Sequence, residues 1–223
     1  MAEAVNDQPF FRFDWVIDNL DEIARRLGEH LVMTGIAVGV GLLISFALAL
    51  LVRRVRPLYG PTIAVTGALY SIPSLALFAL LMPITGLSLL TAEIALVSYT
   101  LLILVRNIVA ALDGVPAEVL DAAAAMGFGP VERLWRVELP IALPVIVAGV
   151  RIATVTTIGL VTVTSLIGLG GLGYLIVNTG INRFFATSIY TGVALSVALA
   201  VLADVGLEGL QRRLTPWAQA RTG

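Results

Sequence analysis

The chain has 223 residues, 58% of them hydrophobic and 13% charged, with a mean hydropathy of +0.96. So much apolar surface excludes an ordinary soluble domain and makes lipid the fitting solvent. All 14 basic residues are arginine, cysteine is absent, His30 is the only histidine and the net charge is −1, which excludes a Walker A lysine, Schiff-base chemistry, disulfides and histidine–cysteine metal sites, and gives no reason to expect nucleic-acid binding.

The N-terminus is acidic and lacks a basic stretch leading into a short apolar core, so no cleavable signal peptide is expected. Phe13, Val16, Ile17, Leu20, Ile23 and Leu27 then recur at helical spacing, with Asp14, Asp18, Asp21 and Glu22 on the other faces. This pattern predicts a short amphipathic helix on the outer membrane surface, either clamped onto the spans or offered to a partner. A ~30 Å hydrocarbon core needs about 20 apolar residues per helix. Five stretches meet that requirement: 31–52, 61–82, 87–105, 141–164 and 185–207. The predicted architecture is an all-α integral membrane protein of about five transmembrane helices.

Arginines orient it. Arg53, Arg54 and Arg56 follow the first span, Arg106, Arg133 and Arg136 lie between the third and fourth, and Arg212, Arg213 and Arg221 follow the fifth. Five crossings place these nine on one side, against Arg12, Arg25, Arg26 and Arg183 on the other. The richer side is expected to be cytoplasmic, with the N-terminus outside and the C-terminus inside. The chain then divides into an outer segment 1–28, a membrane domain 29–213 with a cytoplasmic loop 106–140, and a tail 214–223.

Within the spans, ionisable and polar groups are costly and therefore informative. Ser71, Pro73 and Ser74 interrupt the second span; Pro73 frees a carbonyl and should kink the helix, as suits a gate or tight packing. Glu93 near the outer end of the third span reads as a snorkelling residue or as vestibule lining. Arg151, deep in the fourth span, is either a gate or interface residue or half of a structural ion pair within the subunit or across a dimer. The same span is rich in threonine, which serves as interhelical glue or lines a hydrated path, Thr157 or Thr164 in particular. Residues 168–184 are glycine-rich yet apolar at 175–177, which fits a short helix dipping back toward the vestibule, with Tyr174 as an interfacial anchor. Asp204 and Glu208 near the end of the fifth span read as interfacial pairs with Arg212 and Arg213.

The loop 106–140 is too long for a simple connection. Pro116 opens a strong helix-forming run with Glu118 in its first turn; Gly127 and Gly129 end it; Pro130 opens another helix expected to run to Pro140, with Val131, Leu134, Trp135 and Leu139 as its apolar stripe. Two short helices joined by a glycine turn suit a socket on a partner protein.

Here the sequence resembles a known family. Asp121-Ala122-Ala123, then Gly127, then Val137-Glu138-Leu139-Pro140 match the EAA motif of permease subunits of ATP-driven (ABC) importers, with Asp in place of Glu and Val in place of Ile. Ser71 to Leu77, Leu139 to Val145, Ala148 to Arg151, Gly168 to Tyr174 and His30-Leu31 are similar to segments of osmoprotectant permeases. The resemblance implies a type I importer permease fold in the bacterial inner membrane. Glu118, Asp121, Ala122, Ala123, Gly127, Leu139 and Pro140 would be the ATPase-coupling residues, and Ser71, Pro73, Ser74, Arg151 and Thr157 the pathway or gate candidates. It implies partners as well: ABC ATPase subunits, a second permease subunit in a homo- or heterodimer, and an extracytoplasmic solute-binding protein carrying any aromatic cage. ATP and Mg would bind the ATPase, leaving this chain without catalysis, metal or cofactor. The implied cargo is glycine betaine, choline or carnitine; a methionine or other amino-acid permease, a stand-alone secondary carrier and a non-transporting scaffold are the alternatives.

Overall fold

The computed structural model describes residues 10–219. Residues 1–9 of the expected outer segment and 220–223 of the expected tail, Arg221 included, lie outside the described residues. Among the described residues every regular element is helical: α1 (Phe13–Asp18), α2 (Leu20–Arg54), α3 (Tyr59–Ser71), α4 (Ser74–Thr85), α5 (Leu89–Asp113), α6 (Ala117–Ala125), α7 (Pro130–Arg133), α8 (Leu139–Val163), α9 (Ala186–Leu214) and α10 (Pro216–Gln219). Four helical stretches are long and apolar enough to span a membrane: α2, α5, the continuous Pro130–Ile167 that contains α7 and α8, and α9. The pair α3–α4 supplies a bent fifth, in keeping with the expected count.

The predicted amphipathic helix over 13–27 is divided differently. At Asn19 the backbone leaves the helical region, with φ −114° and ψ 21°, and its Nδ2 donates to Trp15 O at 2.7 Å. No proline interrupts the chain from Leu20 to Arg54, so the following turns become the start of the first span instead of a separate surface helix. At 1.5 Å per residue, the 35 residues of α2 reach about 52 Å, well beyond a ~30 Å hydrocarbon layer. Only α1 stands apart. It is held against the start of α9 by the Arg12 N–H donating to Thr187 Oγ1 (3.0 Å) and by Trp15 meeting the Phe185 ring edge-on at 5.0 Å. That is the clamp reading of this segment.

The second predicted span is not one helix. α3 and α4 meet at 97°, where a mere kink was expected. Ile72 takes an extended conformation before Pro73, which has no N–H to continue the ladder. The freed carbonyl of Ile72 is met by the Tyr99 hydroxyl of α5, which donates to it at 2.6 Å.

A second correction concerns the loop. α5 runs on to Asp113, and the helix expected to stop at Pro140 continues into the fourth span. A π-helical turn over Leu134–Glu138 makes this possible: Leu139 N–H donates to Leu134 O. The wider turn accommodates Pro140, whose ring would otherwise press on the carbonyl of Arg136.

α5 is the central helix, flanked by α2 and α8; α3 and α4 lie against it, and α9 packs on α8. Small residues allow the close approach: a Cβ at Gly41 would collide with Thr100, and one at Gly149 with Asn107. One packed cluster joins Val52, Leu104, Ile108, Leu112 and Ile146 near the α6 end, and another joins Ala37, Phe78, Leu96, Tyr99 and Val161 at the far end.

Residues 168–184 do turn back into the fold as short helical turns, with Leu172 and Leu175 fully buried. The segment is fixed from α2. His30, 0% exposed, accepts the Leu172 N–H on Nδ1 (3.2 Å), which leaves the proton on Nε2 to donate to Ile158 O (3.1 Å). Glu29 Oε2 accepts the Gly171 N–H at 2.9 Å and pairs with Arg26, whose guanidinium lies 3.5 Å over the Tyr174 ring. Tyr174 therefore covers a cation of its own chain.

His30→Phe strands the Leu172 N–H in the interior and should destabilise the purified protein by about 1–3 kcal/mol. His30→Gln, which can accept that N–H, should recover part of the loss. Thermal unfolding in detergent measures both.

Candidate functional site

Two regions hold the residues singled out by sequence: the α6 end of the bundle, and the interrupted spans.

Pro116 opens α6 and places Glu118 in its first turn, where the helix dipole favours an acid. Glu118, Asp121 and Ala122 fall on one exposed face, spaced i, i+3, i+4. Ala123 is the buried residue of the helix, 1% exposed, with α7 and the π-helical turn as its neighbours. The helix ends as glycine dictates. Phe128 N–H donates to Ala123 O at 3.1 Å and Gly127 N–H to Ala124 O at 2.9 Å, with Gly127 at φ +85°. This pair of bonds is a Schellman termination, which needs a left-handed residue at the position of Gly127. Met126, Val131 and Trp135 stand 60–70% exposed around it. Leu139 and Pro140 are not on this face; half-buried, they form the junction where the π-helical turn enters α8.

The base of α6 is locked by ion pairs that the sequence analysis did not foresee. Glu138, 3% exposed, lies 2.7 Å from Arg53 Nη1 as an ion pair and accepts from Arg133 Nε at 3.1 Å. Arg53 also reaches Asp113 (3.2 Å), as does Arg56 (2.8 Å). The ends of α2, α5 and α8 nearest α6 are thereby tied to one another at the root of α6. An acid next to the Leu139-Pro140 junction was the available signal for Glu138. Nothing in the sequence pairs it with Arg53, 85 positions away.

In the spans, the break exposes Ser71 and Pro73 and half-buries Ser74; the Ser71 hydroxyl donates back to Gly67 O at 2.8 Å. Arg151 forms an ion pair within the subunit. Its Nε and Nη2 reach the two carboxylate oxygens of Asp204 at 2.8 and 3.0 Å, and Nη2 also reaches Glu208 at 3.2 Å. Glu208 pairs in turn with Arg212, so of the two acids expected to pair with the terminal arginines, Glu208 is shared with α8 and Asp204 pairs with Arg151. Beside this ladder a groove of about 610 Å³ opens between α8 and α9, bordered by Ala148, Ile152, Thr156 and Val201. Thr157 and Thr164 do not line this groove. Both are buried, Thr157 in the same stripe as Ala153 and Val161, because that side of α8 is the one packed against α2 and α5.

Comparison with known proteins places these features in context. Residues 32–216 match the family model described as binding-protein-dependent transport system inner membrane component. The osmoprotectant import permease protein OsmW of Salmonella typhimurium is 36% identical over 207 residues, 91% of this chain and 96% of that protein. The choline transport system permease protein OpuBB of Bacillus subtilis is 34% identical, covering 91% of this chain and 93% of its own length. The glycine betaine/carnitine/choline permease OpuCD of the same organism is 37% identical over 84% of this chain and 82% of the relative. Among solved structures, an inward-facing MetNI methionine ABC transporter matches with a TM-score of 0.79 and 25% identity over 96% of this chain and the whole of that one.

Gly127→Ala would put a Cβ on a left-handed residue in otherwise open space, so its cost, about 1 kcal/mol, is conformational. Amide hydrogen exchange should accelerate at residues 123–128 and stay unchanged in α5, with Gly127→Asn showing the smaller effect.

Proposed function

Because the chain belongs to the binding-protein-dependent transport system inner membrane component family, we propose that it forms the translocation path for a small osmoprotectant such as glycine betaine, choline or carnitine. The strongest support is that permeases named for osmoprotectants, choline and carnitine align with it over nearly its full length. The methionine reading draws on a solved structure of lower identity, and a stand-alone carrier has no place in this family.

The chain's own residues have mechanical roles in this reading. α6 presents Glu118, Asp121 and Ala122 to a groove of an ATPase subunit, which binds ATP and Mg; this chain binds neither and performs no hydrolysis. Gly127 fixes the angle at which the helix meets that groove. Ala123, Leu139 and Pro140 seat α6 on the π-helical turn, and the Arg53–Glu138–Arg133 cluster passes its displacement to α2, α5 and α8. α6 and the segment to Pro140 then act as one lever, so that ATP-driven closure of two ATPases swings two permease subunits between inward-open and outward-open states. Ser71, Pro73 and Ser74, at the break, are the part of the path best placed to open and close. Arg151 fixes α9 to α8 and does not meet a cationic cargo, and Thr157 serves packing more than passage. A binding protein delivers the solute at the end opposite α6, with that end outside the cell and both α6 and the C-terminus in the cytoplasm.

The test is reconstitution. The chain in proteoliposomes with its ATPase and binding protein should import labelled glycine betaine, choline or carnitine in an ATP-dependent way. Gly127→Trp should abolish import while the permease still folds. A purified chain that recruits no ATPase, or import untouched by Gly127→Trp, overturns the importer mechanism. Uptake that none of the three solutes competes for overturns the cargo.

A further inference from the structure

Glu93 stands one turn into α5, at the end of the bundle away from α6, and is 8% exposed. Both of its carboxylate oxygens are buried, and neither has a hydrogen-bond partner among the described residues. The side chain borders an open groove of about 610 Å³ between α2 and α5, walled by Ile36, Val40, Leu90, Ile94 and Val97. Ser98 is the other polar residue lining it, and its hydroxyl donates to Ile94 O at 2.7 Å.

A carboxylate in such surroundings keeps its charge only with a cation beside it. The walls select which cation. A primary ammonium brings three N–H donors and a guanidinium five. One carboxylate cannot receive them all, and the remainder would face isoleucine, leucine and valine unpaired. A quaternary ammonium has no N–H. Its charge is spread over methyl groups that pack on the apolar walls, while the carboxylate supplies the opposite charge.

We propose that the α2–α5 groove binds the quaternary ammonium group of a free small solute, with Glu93 as its counter-charge. The site rests on the osmoprotectant reading of the chain and narrows it. A net cation such as choline is favoured over glycine betaine or carnitine, whose own carboxylates Glu93 repels. Its place at the end away from α6 lets it meet solute on the side opposite the ATPase.

The experiment uses the assembled importer in vesicles of phosphatidylethanolamine and phosphatidylglycerol, which carry no choline head groups. Wild type should import labelled choline; Glu93→Gln should raise the choline KM about tenfold or more, leaving the glycine betaine KM nearly unchanged, and Glu93→Asp should fall between. A wild type that imports quaternary ammonium solutes alongside a Glu93→Gln variant with an unaltered choline KM overturns the site and leaves the permease reading standing. A wild type that imports none of them overturns the reading on which the site rests. Inhibition of choline uptake by added phosphatidylcholine, relieved in Glu93→Gln, would assign the groove to a lipid head group and overturn the free-solute proposal. Should Glu93→Gln fail to assemble, thermal unfolding of the wild-type complex decides: tetramethylammonium chloride should raise the midpoint above that in equal sodium chloride, and equal midpoints overturn the site.

Discussion

Hydrocarbon offers no partner to a backbone N–H or C=O, so every interruption of a spanning helix has to be answered from elsewhere in the protein. Among the described residues, three of the interruptions within the bundle each have their own answer. At the α3–α4 break the freed Ile72 carbonyl receives the Tyr99 hydroxyl. At the entry to α8 a π-helical turn shifts the ladder by one residue and so absorbs Pro140. After α8 the Gly171 and Leu172 N–H groups are received by Glu29 and His30, and the Ser188 hydroxyl donates to the Leu175 carbonyl. The donors and acceptors come from α2, α5 and α9, so those helices are the frame against which the broken segments can exist at all.

That division suits a machine that has to move without dissolving. The continuous helices α2 and α5 pack on each other along most of their length, and glycine at Gly41 removes the side chain that would hold them apart. α6 sits at the opposite kind of site, projecting from the bundle yet rooted in it through a buried glutamate and two arginines. A buried ion pair of this sort contributes little net stability compared with apolar packing, but losing one partner leaves the other stranded. Its use here is positional: α2, α5 and α8 are kept in register at the point where α6 joins them.

One subunit leaves much of its surface unmatched. The outer face of α9 carries Val193, Val197, Val201, Leu202 and Val205 in the open, and the Arg151–Asp204–Glu208–Arg212 ladder runs beside a groove. Apolar residues on that face need lipid or protein as their solvent.

What the sequence determined by itself were the features that depend on local chemistry. Hydrophobic length marked the spans, proline marked the break at Ile72-Pro73 and glycine the end of α6, because steric limits on a residue's own backbone act wherever it sits. The spacing of Asp121, Ala122, Ala123 and Gly127 carried the family, and Glu118, Asp121 and Ala122 do share one exposed face. What only the tertiary structure decided was partnership. It turned an expected kink into a right-angle break, carried the second loop helix on into α8, and merged most of an amphipathic segment into α2. It gave Arg151 to Asp204, Arg53 to Glu138 and Tyr99 to Ile72, and it buried Thr157 among the packed helices. Each of these depends on which helices pack side by side, and residues dozens of positions apart leave no local periodicity by which they can be matched. A residue's chemistry is written in the chain; the neighbour that satisfies it is set by packing.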